Sequence, residues 1–128
     1  MAWFRIFLAV AMLTLPAAAQ EEEGPKPATH DFTAVVGALD KITARITRLD
    51  LAANQGVRFG TLTLTARACY ARPPVEPPET YIFLEIDDTK ANGEVIRVFT
   101  GWMLASSPAL NPLEHAVYDV WAISCNMR

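Results

Sequence analysis

Apolar and polar residues alternate along much of this chain, in stretches as long as β-strands. The first stretch spans residues 41–51, and its apolar positions change phase near Thr47 and Arg48. Strict alternation is the pattern of a strand with one buried face, and a change of phase indicates a bulge. We therefore predict one strand here, with a bulge near Thr47.

A second and longer alternating stretch begins after residues 54–56, which favour a turn. It runs from Val57 to Tyr70, and its apolar positions change from odd to even numbers after Gly60. A glycine within a strand pattern often marks a bulge or a bend. The two stretches together predict a hairpin of long, bent strands.

Four of the eight residues 72–79 are prolines, and this segment interrupts the strand pattern. Because proline has no backbone N–H to donate, the segment cannot pair as a strand. We interpret it as a stiff, extended loop that crosses to a new part of the sheet. Its polyproline character also suits docking to an aromatic groove.

A second hairpin is predicted from residues 81–87 and 95–103, which flank the turn dipeptide Asn92-Gly93. Both faces of residues 95–103 are apolar. This strand is therefore predicted to be central or covered on both sides. Alternation returns at residues 117–125, which we interpret as a closing strand.

The segment between these last two strands has the signals of short helical turns. Ser107 and Asn111 each precede a proline, and Glu114 lies three positions after Asn111, as in a capping box. No longer helical pattern is present, so the predicted class is all-β. We expect a small β-sandwich or partly open barrel of about five to seven mostly antiparallel strands, with one or two short helical turns between the last two.

The first 19 residues have the pattern of a secretory signal peptide. Arg5 supplies a positive start, residues 6–15 form an apolar run, and three alanines end at Ala19. We predict cleavage after Ala19 and export of the remainder. The apolar run is about half the roughly 20 residues needed to cross a bilayer, and no later run is long enough, so no transmembrane segment is expected after cleavage.

Residues 20–31 contain three glutamates, two prolines and a glycine, which is typical of a flexible acidic tether. Residues 32–128 are predicted to form a single β-domain. The formal net charge is −3, and the basic residues form no stripe. Nucleic acid is therefore not expected as a partner.

Two cysteines, Cys69 and Cys125, remain in the predicted exported part. An even count in an exported chain predicts one disulfide, and a pair of free buried thiols is the alternative. By alternation, Cys69 lies on the face of the threonines, whereas Cys125 lies on the face of Trp121. A disulfide therefore requires the Cys69 strand to twist or end near that residue.

Several segments resemble an uncharacterised alphaproteobacterial family of exported proteins, catalogued as domain of unknown function 2155. The matching segments are residues 39–45 (LDKITAR), Cys69 with residues 74–79 (PVEPPE), residues 101–111 (GWMLASSPALN), residues 113–115 (LEH), residues 118–121 (YDVW) and Cys125. The resemblance implies a Gram-negative exported protein, and hence the periplasm. It brings a two-cysteine pattern but no activity, cofactor or partner.

Residue types of a catalytic triad occur in the second half of the chain. His115 with Ser106 or Ser107 and Asp119 would suit a periplasmic hydrolase. However, no G-x-S-x-G elbow surrounds either serine, and both are explained as turn residues. We therefore expect no catalytic residues and keep the hydrolase as the alternative.

Metal binding is not expected either. Glu114, His115 and Asp119 supply donors, but a structural zinc site needs four ligands and the cysteines are assigned to the disulfide. We expect no metal and no cofactor.

The remaining hypothesis is a non-catalytic binding module of the cell envelope. Trp102, Tyr118 and Trp121, with the intervening loop, would form an aromatic ledge for an envelope protein, a peptide or a glycan. Core packing of both tryptophans is the alternative. The candidate contact residues are Trp102, Ser106, Ser107, Asn111, Glu114, His115, Tyr118 and Trp121. The sequence predicts no oligomeric state.

Overall fold

In the part of the chain that the structure describes, seven β-strands form two antiparallel sheets that pack against one another. The computed structural model describes residue 14 and residues 26–127, and this part of the chain contains no helix. The strands are β1 (Phe32–Asp40), β2 (Arg45–Ala52), β3 (Val57–Phe59), β4 (Leu62–Ala71), β5 (Thr80–Thr89), β6 (Val95–Leu104) and β7 (Tyr118–Met127). Their order is β2-β1-β7 in one sheet and β3-β4-β5-β6 in the other. The all-β class is confirmed, and the sheets do not close into a barrel.

The core lies between the two sheets and is filled from alternating positions of the strands. Leu64 of β4 and Leu84 of β5 are completely buried on one side, and Val36 of β1 is completely buried on the other. Burying one such aliphatic side chain stabilises the fold by about 1.5–3 kcal/mol. Side chains on the outer face of each sheet do not contribute to this core.

The predicted hairpin of residues 41–51 with residues 57–70 is wrong, because β2 lies in one sheet and β3 and β4 lie in the other. Residues 41–44 form a turn between β1 and β2, because the Asp40 carboxylate accepts hydrogen bonds from the N–H groups of Ile42 at 2.9 Å and Thr43 at 3.2 Å. The predicted bulge near Thr47 is wrong, since β1 and β2 pair in continuous register from Thr33 to Asp40. The strand β1 was missed because it is almost continuously buried and lacks alternation.

Gly60 lies in a turn and not in a bend of one strand. Phe59 pairs with Leu62, so Gly60 and Thr61 form the two-residue connection between β3 and β4. Gly60 adopts a positive φ of 58°, which glycine tolerates without strain. The predicted long strand is therefore two strands joined by a tight hairpin.

The proline-rich segment does not cross to another part of the sheet, contrary to the prediction. Strands β4 and β5 pair directly, from Leu62 with Asp88 to Ala71 with Thr80. The N–H of Arg72 then donates to the carbonyl of Glu79 at 3.0 Å. The four prolines lie in the loop that this hydrogen bond closes. None of them therefore occupies a position at which a backbone N–H must donate to the neighbouring strand.

The hairpin of β5 and β6 is confirmed, but β6 is not central. The strand order places β6 at the edge of its sheet, and Val95 and Ile96 are 59% and 39% exposed. Apolar residues on both faces of this strand predicted that both faces would be covered. At its first two residues, Val95 and Ile96, the side chains are exposed to solvent instead.

The predicted helical turns between β6 and β7 are not present. Single turns form there instead, with the N–H of Ser107 donating to Leu104 at 3.3 Å and that of Leu110 donating to Ser107 at 3.1 Å. The Asn111 side chain does not cap a helix, because its Nδ2 donates to the carbonyl of Trp102 at 3.0 Å.

The predicted signal peptide and its cleavage site lie outside the described residues, apart from residue 14. The part of the chain that the structure describes has no helix with the length and apolarity of a membrane span. The described end of the predicted tether includes Ala28, which forms an isolated antiparallel bridge with Cys69.

Candidate functional site

A bulge in β4 determines which side chains reach the outer face of the four-stranded sheet. The pairing with β5 shifts between Ala66 and Ala68, so Arg67 is an extra residue. Leu64 and Ala66 point into the core before the bulge, and Cys69 points into the core after it. Tyr70 is consequently turned outward.

The outward-facing residues near this bulge form two cross-strand rows. Tyr70, Tyr81 and Leu104 lie side by side in one row, and Phe83 and Trp102 lie in the next. The ring centroids of Tyr70 and Tyr81 are 5.8 Å apart, and those of Phe83 and Trp102 are 5.3 Å apart at 77°. These spacings are those of favourable aromatic pairs.

An open cavity of about 430 Å³ lies over these rows. We call it the aromatic groove, and its lining residues are Pro27, Tyr70, Tyr81, Trp102 and Leu104. Tyr70, Tyr81, Trp102 and Leu104 are each half-buried, so part of every side chain faces solvent. The groove therefore offers flat aromatic surface from three adjacent strands.

Arg72 lies at the rim of the aromatic groove. Its Nη2 donates a hydrogen bond to the Tyr81 hydroxyl at 2.9 Å, and its guanidinium carbon is 5.9 Å from the centroid of the Tyr81 ring. The hydrogen bond to Tyr81 raises the pKa of Arg72 above its usual value. A fixed positive charge thus lies beside an otherwise apolar site.

The described N-terminal segment forms one wall of the aromatic groove. The N–H and C=O of Ala28 both bond to Cys69 at 2.9 Å, which fixes Pro27 next to Tyr70. The Asn54 side chain donates to the carbonyl of Thr29 at 2.8 Å and holds the segment further along. Pro27 is therefore held in position by the two residues that follow it.

The other half of the outer face of the four-stranded sheet carries charged side chains of both signs, which form ion pairs with one another. Arg67 Nε lies 3.1 Å from Glu85 Oε2, and Arg97 Nε lies 2.6 Å from Asp87 Oδ1. The hydrogen bond to Asp87 raises the pKa of Arg97. Because each charge already has an opposite partner, this half offers little to a ligand.

A buried polar cluster lies at the opposite end of β5 from the groove. Asp88 is only 4% exposed, and it accepts hydrogen bonds from Thr61 Oγ1 at 2.5 Å and from His115 Nε2 at 2.8 Å. The bond from Thr61, and then that from His115, lowers the pKa of Asp88 below its usual range. Asp88 therefore remains charged inside the domain.

The hydrogen bonds of His115 also assign its tautomer. Its Nδ1 accepts from the N–H groups of Val117 at 3.0 Å and Tyr118 at 3.2 Å. The neutral ring must then carry its proton on Nε2, which donates to Asp88. Both ring nitrogens are occupied, so neither is available to take a proton from a nucleophile.

The structure does not bring the residues of the alternative hydrolase together. The Ser106 hydroxyl donates to Glu79, and its N–H donates to the same carboxylate at 3.1 Å. This hydroxyl lowers the pKa of Glu79. Asp119 accepts from its own neighbour, the N–H of Val120, at 2.9 Å. His115, Ser106 and Asp119 therefore have three separate sets of partners.

The predicted aromatic ledge is also divided among different places. Tyr118 is buried in the core, with its ring 5.6 Å from that of Phe59. Trp121 is half-buried and faces outward from the other sheet, where a Cβ at Gly37 would overlap its indole. Only Trp102 lies in the aromatic groove.

The candidate residues in the loop between β6 and β7 make their contacts within the domain. Asn111 bonds to the backbone of Trp102, and Ser107 Oγ lies 3.4 Å from Ser106 Oγ. Glu114 lines a separate cavity of about 520 Å³ next to His115. The described residues contain no group of three His, Cys, Asp or Glu side chains placed to hold a metal ion.

Sequence reasoning missed Tyr70, Tyr81, Leu104 and Arg72 as site residues. Alternation placed Tyr70 with Leu64 and Ala66 on the buried face, because the apolar positions show no change of phase at Arg67. One signal was available: Cys69 had the wrong parity for a disulfide. A one-residue bulge before Cys69 corrects that parity and turns Tyr70 outward.

Comparison with known proteins adds a family but no activity. The chain is 30% identical over 88 residues to Uncharacterized protein RP359 of Rickettsia prowazekii (strain Madrid E). That alignment covers 69% of this chain and 57% of the relative, so the chain spans little more than half of the relative's length. No solved structure matches the chain.

The family model described as "Uncharacterized protein conserved in bacteria (DUF2155)" matches residues 34–125. This range runs from the third residue of β1 to Cys125, so it includes β2 to β6 completely and all but two residues each of β1 and β7. The chain therefore belongs to the DUF2155 family of uncharacterized bacterial proteins.

Proposed function

We propose that this protein is exported to the periplasm and acts there as a non-catalytic binding module, with the aromatic groove as its contact surface. The observation that carries the proposal is the pair of aromatic rows on the outer face of the four-stranded sheet. Tyr70, Tyr81 and Trp102 remain partly exposed there, together with Leu104. An open cavity of about 430 Å³ lined mainly by aromatic and apolar side chains has the usual size and chemistry of a ligand site.

The groove supports binding better than the loop between β6 and β7. Residues of that loop already have partners within the domain: Ser106 bonds to Glu79, Asn111 to Trp102 and His115 to Asp88. A ligand that used these groups would have to break existing hydrogen bonds. Binding in the groove needs no such exchange, because its surface is apolar.

Export is supported by the leader pattern of residues 1–19 and by the two cysteines. Cys69 and Cys125 lie at disulfide distance, with their Cα atoms 6.0 Å apart. Disulfides persist in oxidising compartments such as the periplasm and are rare in the cytosol. The two features favour the same compartment.

Photo-crosslinking in living cells tests this function. A benzoylphenylalanine at position 104 places the reactive group in the groove, and one at Arg48, an exposed position of β2, is the matched control. We expect a reproducible adduct in the periplasmic fraction from position 104 only, lost when Trp102→Ala is added. Equal adducts from both positions, or none from position 104, would reject the groove as the contact surface.

A further inference from the structure

We infer that the ligand of the aromatic groove is an extended peptide that places prolines against Tyr70, Tyr81 and Trp102 and an acidic side chain near Arg72. This inference rests on the proposed function and names the class of its ligand. Aromatic-lined grooves that hold prolines are an established mode of peptide recognition. Three observations on this groove support the same mode.

The first observation is the chemistry of the walls. Among the five lining residues, the polar side-chain groups are two tyrosine hydroxyls and one indole N–H. The Tyr81 hydroxyl already accepts a hydrogen bond from Arg72. A sugar needs several directional partners for its hydroxyl groups, whereas a proline ring needs flat apolar surface. The groove therefore fits prolines better than glycans.

The second observation is that the chain's own Pro27 lines the groove. Its neighbour Ala28 pairs with Cys69 through two backbone hydrogen bonds of 2.9 Å. Pairing of β3 with β4 ends at Leu64, so Ala28 lies along the part of the β4 edge that β3 does not reach. An extended chain carrying a proline is thus already accommodated beside Tyr70.

The third observation is the charge at the rim. Arg72 donates to the hydroxyl of Tyr81, and the nearby carboxylates of Glu79 and Glu76 compensate its positive charge only in part, without a direct hydrogen bond to it. A carboxylate is the natural partner for an exposed guanidinium, because the two can form a charge-assisted hydrogen bond. An acidic residue flanking the prolines would meet Arg72 while the rings occupy the groove.

Titration of the purified, oxidised protein with synthetic peptides tests the inference. The probe is a blocked peptide of glutamates followed by prolines, and its controls replace all prolines by alanine or all glutamates by serine. Binding is followed by calorimetry and by NMR shifts of the Trp102 indole. We expect saturable binding that weakens about tenfold or more without the prolines, a loss of about 1.4 kcal/mol or more.

Variants of the groove locate the binding. Trp102→Ala and Leu104→Arg should each abolish binding while melting as one cooperative transition. Arg72→Gln should weaken binding of the glutamate peptide several-fold and leave the serine peptide unchanged. Two variants of the groove are used so that misfolding of one does not decide the result.

Two results would overturn the ligand class: equal binding of the alanine peptide, and no saturable binding of the probe at millimolar concentration. Self-association of the protein alone that Val75→Asp abolishes would overturn the assignment to a separate ligand, because the proline-rich loop of a second copy, on which Val75 is 93% exposed, would then be the occupant. If any of these occurs while crosslinking at position 104 persists, the binding function stands and only the assigned occupant is wrong.

Discussion

Cys69 of β4 and Cys125 of β7 face one another between the two sheets, with their Cα atoms 6.0 Å apart and their sulfur atoms at disulfide distance. Simple alternation places the two residues on unsuitable faces. Each strand corrects this with one extra residue: Arg67 in β4, and Ile123 in β7, where Val35 pairs with Ser124 but Val36 pairs with Ala122. Two bulges therefore aim both cysteines into the core.

Removal of the disulfide should greatly lower stability. The cysteines are separated by 56 residues, and on the chain-entropy model a cross-link of that span contributes about 4 kcal/mol. We expect the Cys69→Ala/Cys125→Ala double variant to unfold at a much lower urea concentration than the oxidised protein. Reduction of the wild-type protein should have a similar effect, and an unchanged midpoint in both cases would contradict the assignment.

Deletion of Arg67 tests whether the bulge directs Cys69 inward. Without the extra residue, alternation from Leu64 and Ala66 would continue and turn Cys69 toward solvent. We expect both thiols of this variant to react with a maleimide under native conditions. Deletion of Val75, at the exposed tip of a loop, is the matched control and should leave both cysteines protected.

Asp88 should make stability depend on pH in the acidic range. Its pKa in the folded protein lies below the ordinary value of 3.8, so the charged carboxylate stabilises the fold above about pH 4. This contribution is lost as the pH falls through the folded-state pKa. Asp88→Asn should cost about 1–3 kcal/mol at neutral pH, and its deficit relative to wild type should shrink below pH 4 in urea titrations.

His115 and Asp88 should act as one unit in stability. His115→Ala leaves the Asp88 carboxylate without one donor and the N–H groups of Val117 and Tyr118 without their acceptor. We expect a loss of about 2 kcal/mol, and a double variant with Asp88→Asn that loses less than the sum. Strict additivity in denaturant melts would show that the two residues are not coupled.

Gly37 should be required by the position of Trp121. A Cβ at residue 37 would overlap the indole, so Gly37→Ala should destabilise the domain by about 1–3 kcal/mol and shift the emission of Trp121. Trp121→Val removes the obstructing ring. The double variant should therefore be more stable than Gly37→Ala. If it is not, overlap with the Trp121 indole is not the reason that residue 37 must be glycine.

The sequence predicts those parts of the fold that depend on neighbouring residues. The β5–β6 hairpin follows from Asn92-Gly93 and the alternation around it, and β7 follows from alternation alone. The proline-rich loop was misplaced because its composition excludes pairing within it but does not reveal that Ala71 and Thr80 pair directly across it. Such pairing is a tertiary property.

The site was less predictable than the fold for a related reason. Trp102 was identified, but Tyr70 and Tyr81 become its neighbours only through the register of three strands and the bulge at Arg67. His115 attracted a catalytic interpretation by residue type. Its partner Asp88 lies 27 residues away in sequence, and no local pattern links the two.

Export is the property on which the proposed role depends most, because the groove is proposed to meet ligands of the envelope and the cysteines are proposed to be joined there. The direct measurement is the intact mass of the native protein in each cell fraction, after free thiols are blocked with a maleimide. We predict a periplasmic species that begins at Gln20, lacks two hydrogens and carries no maleimide. A cytoplasmic, full-length species that carries two maleimides would contradict export and the disulfide together.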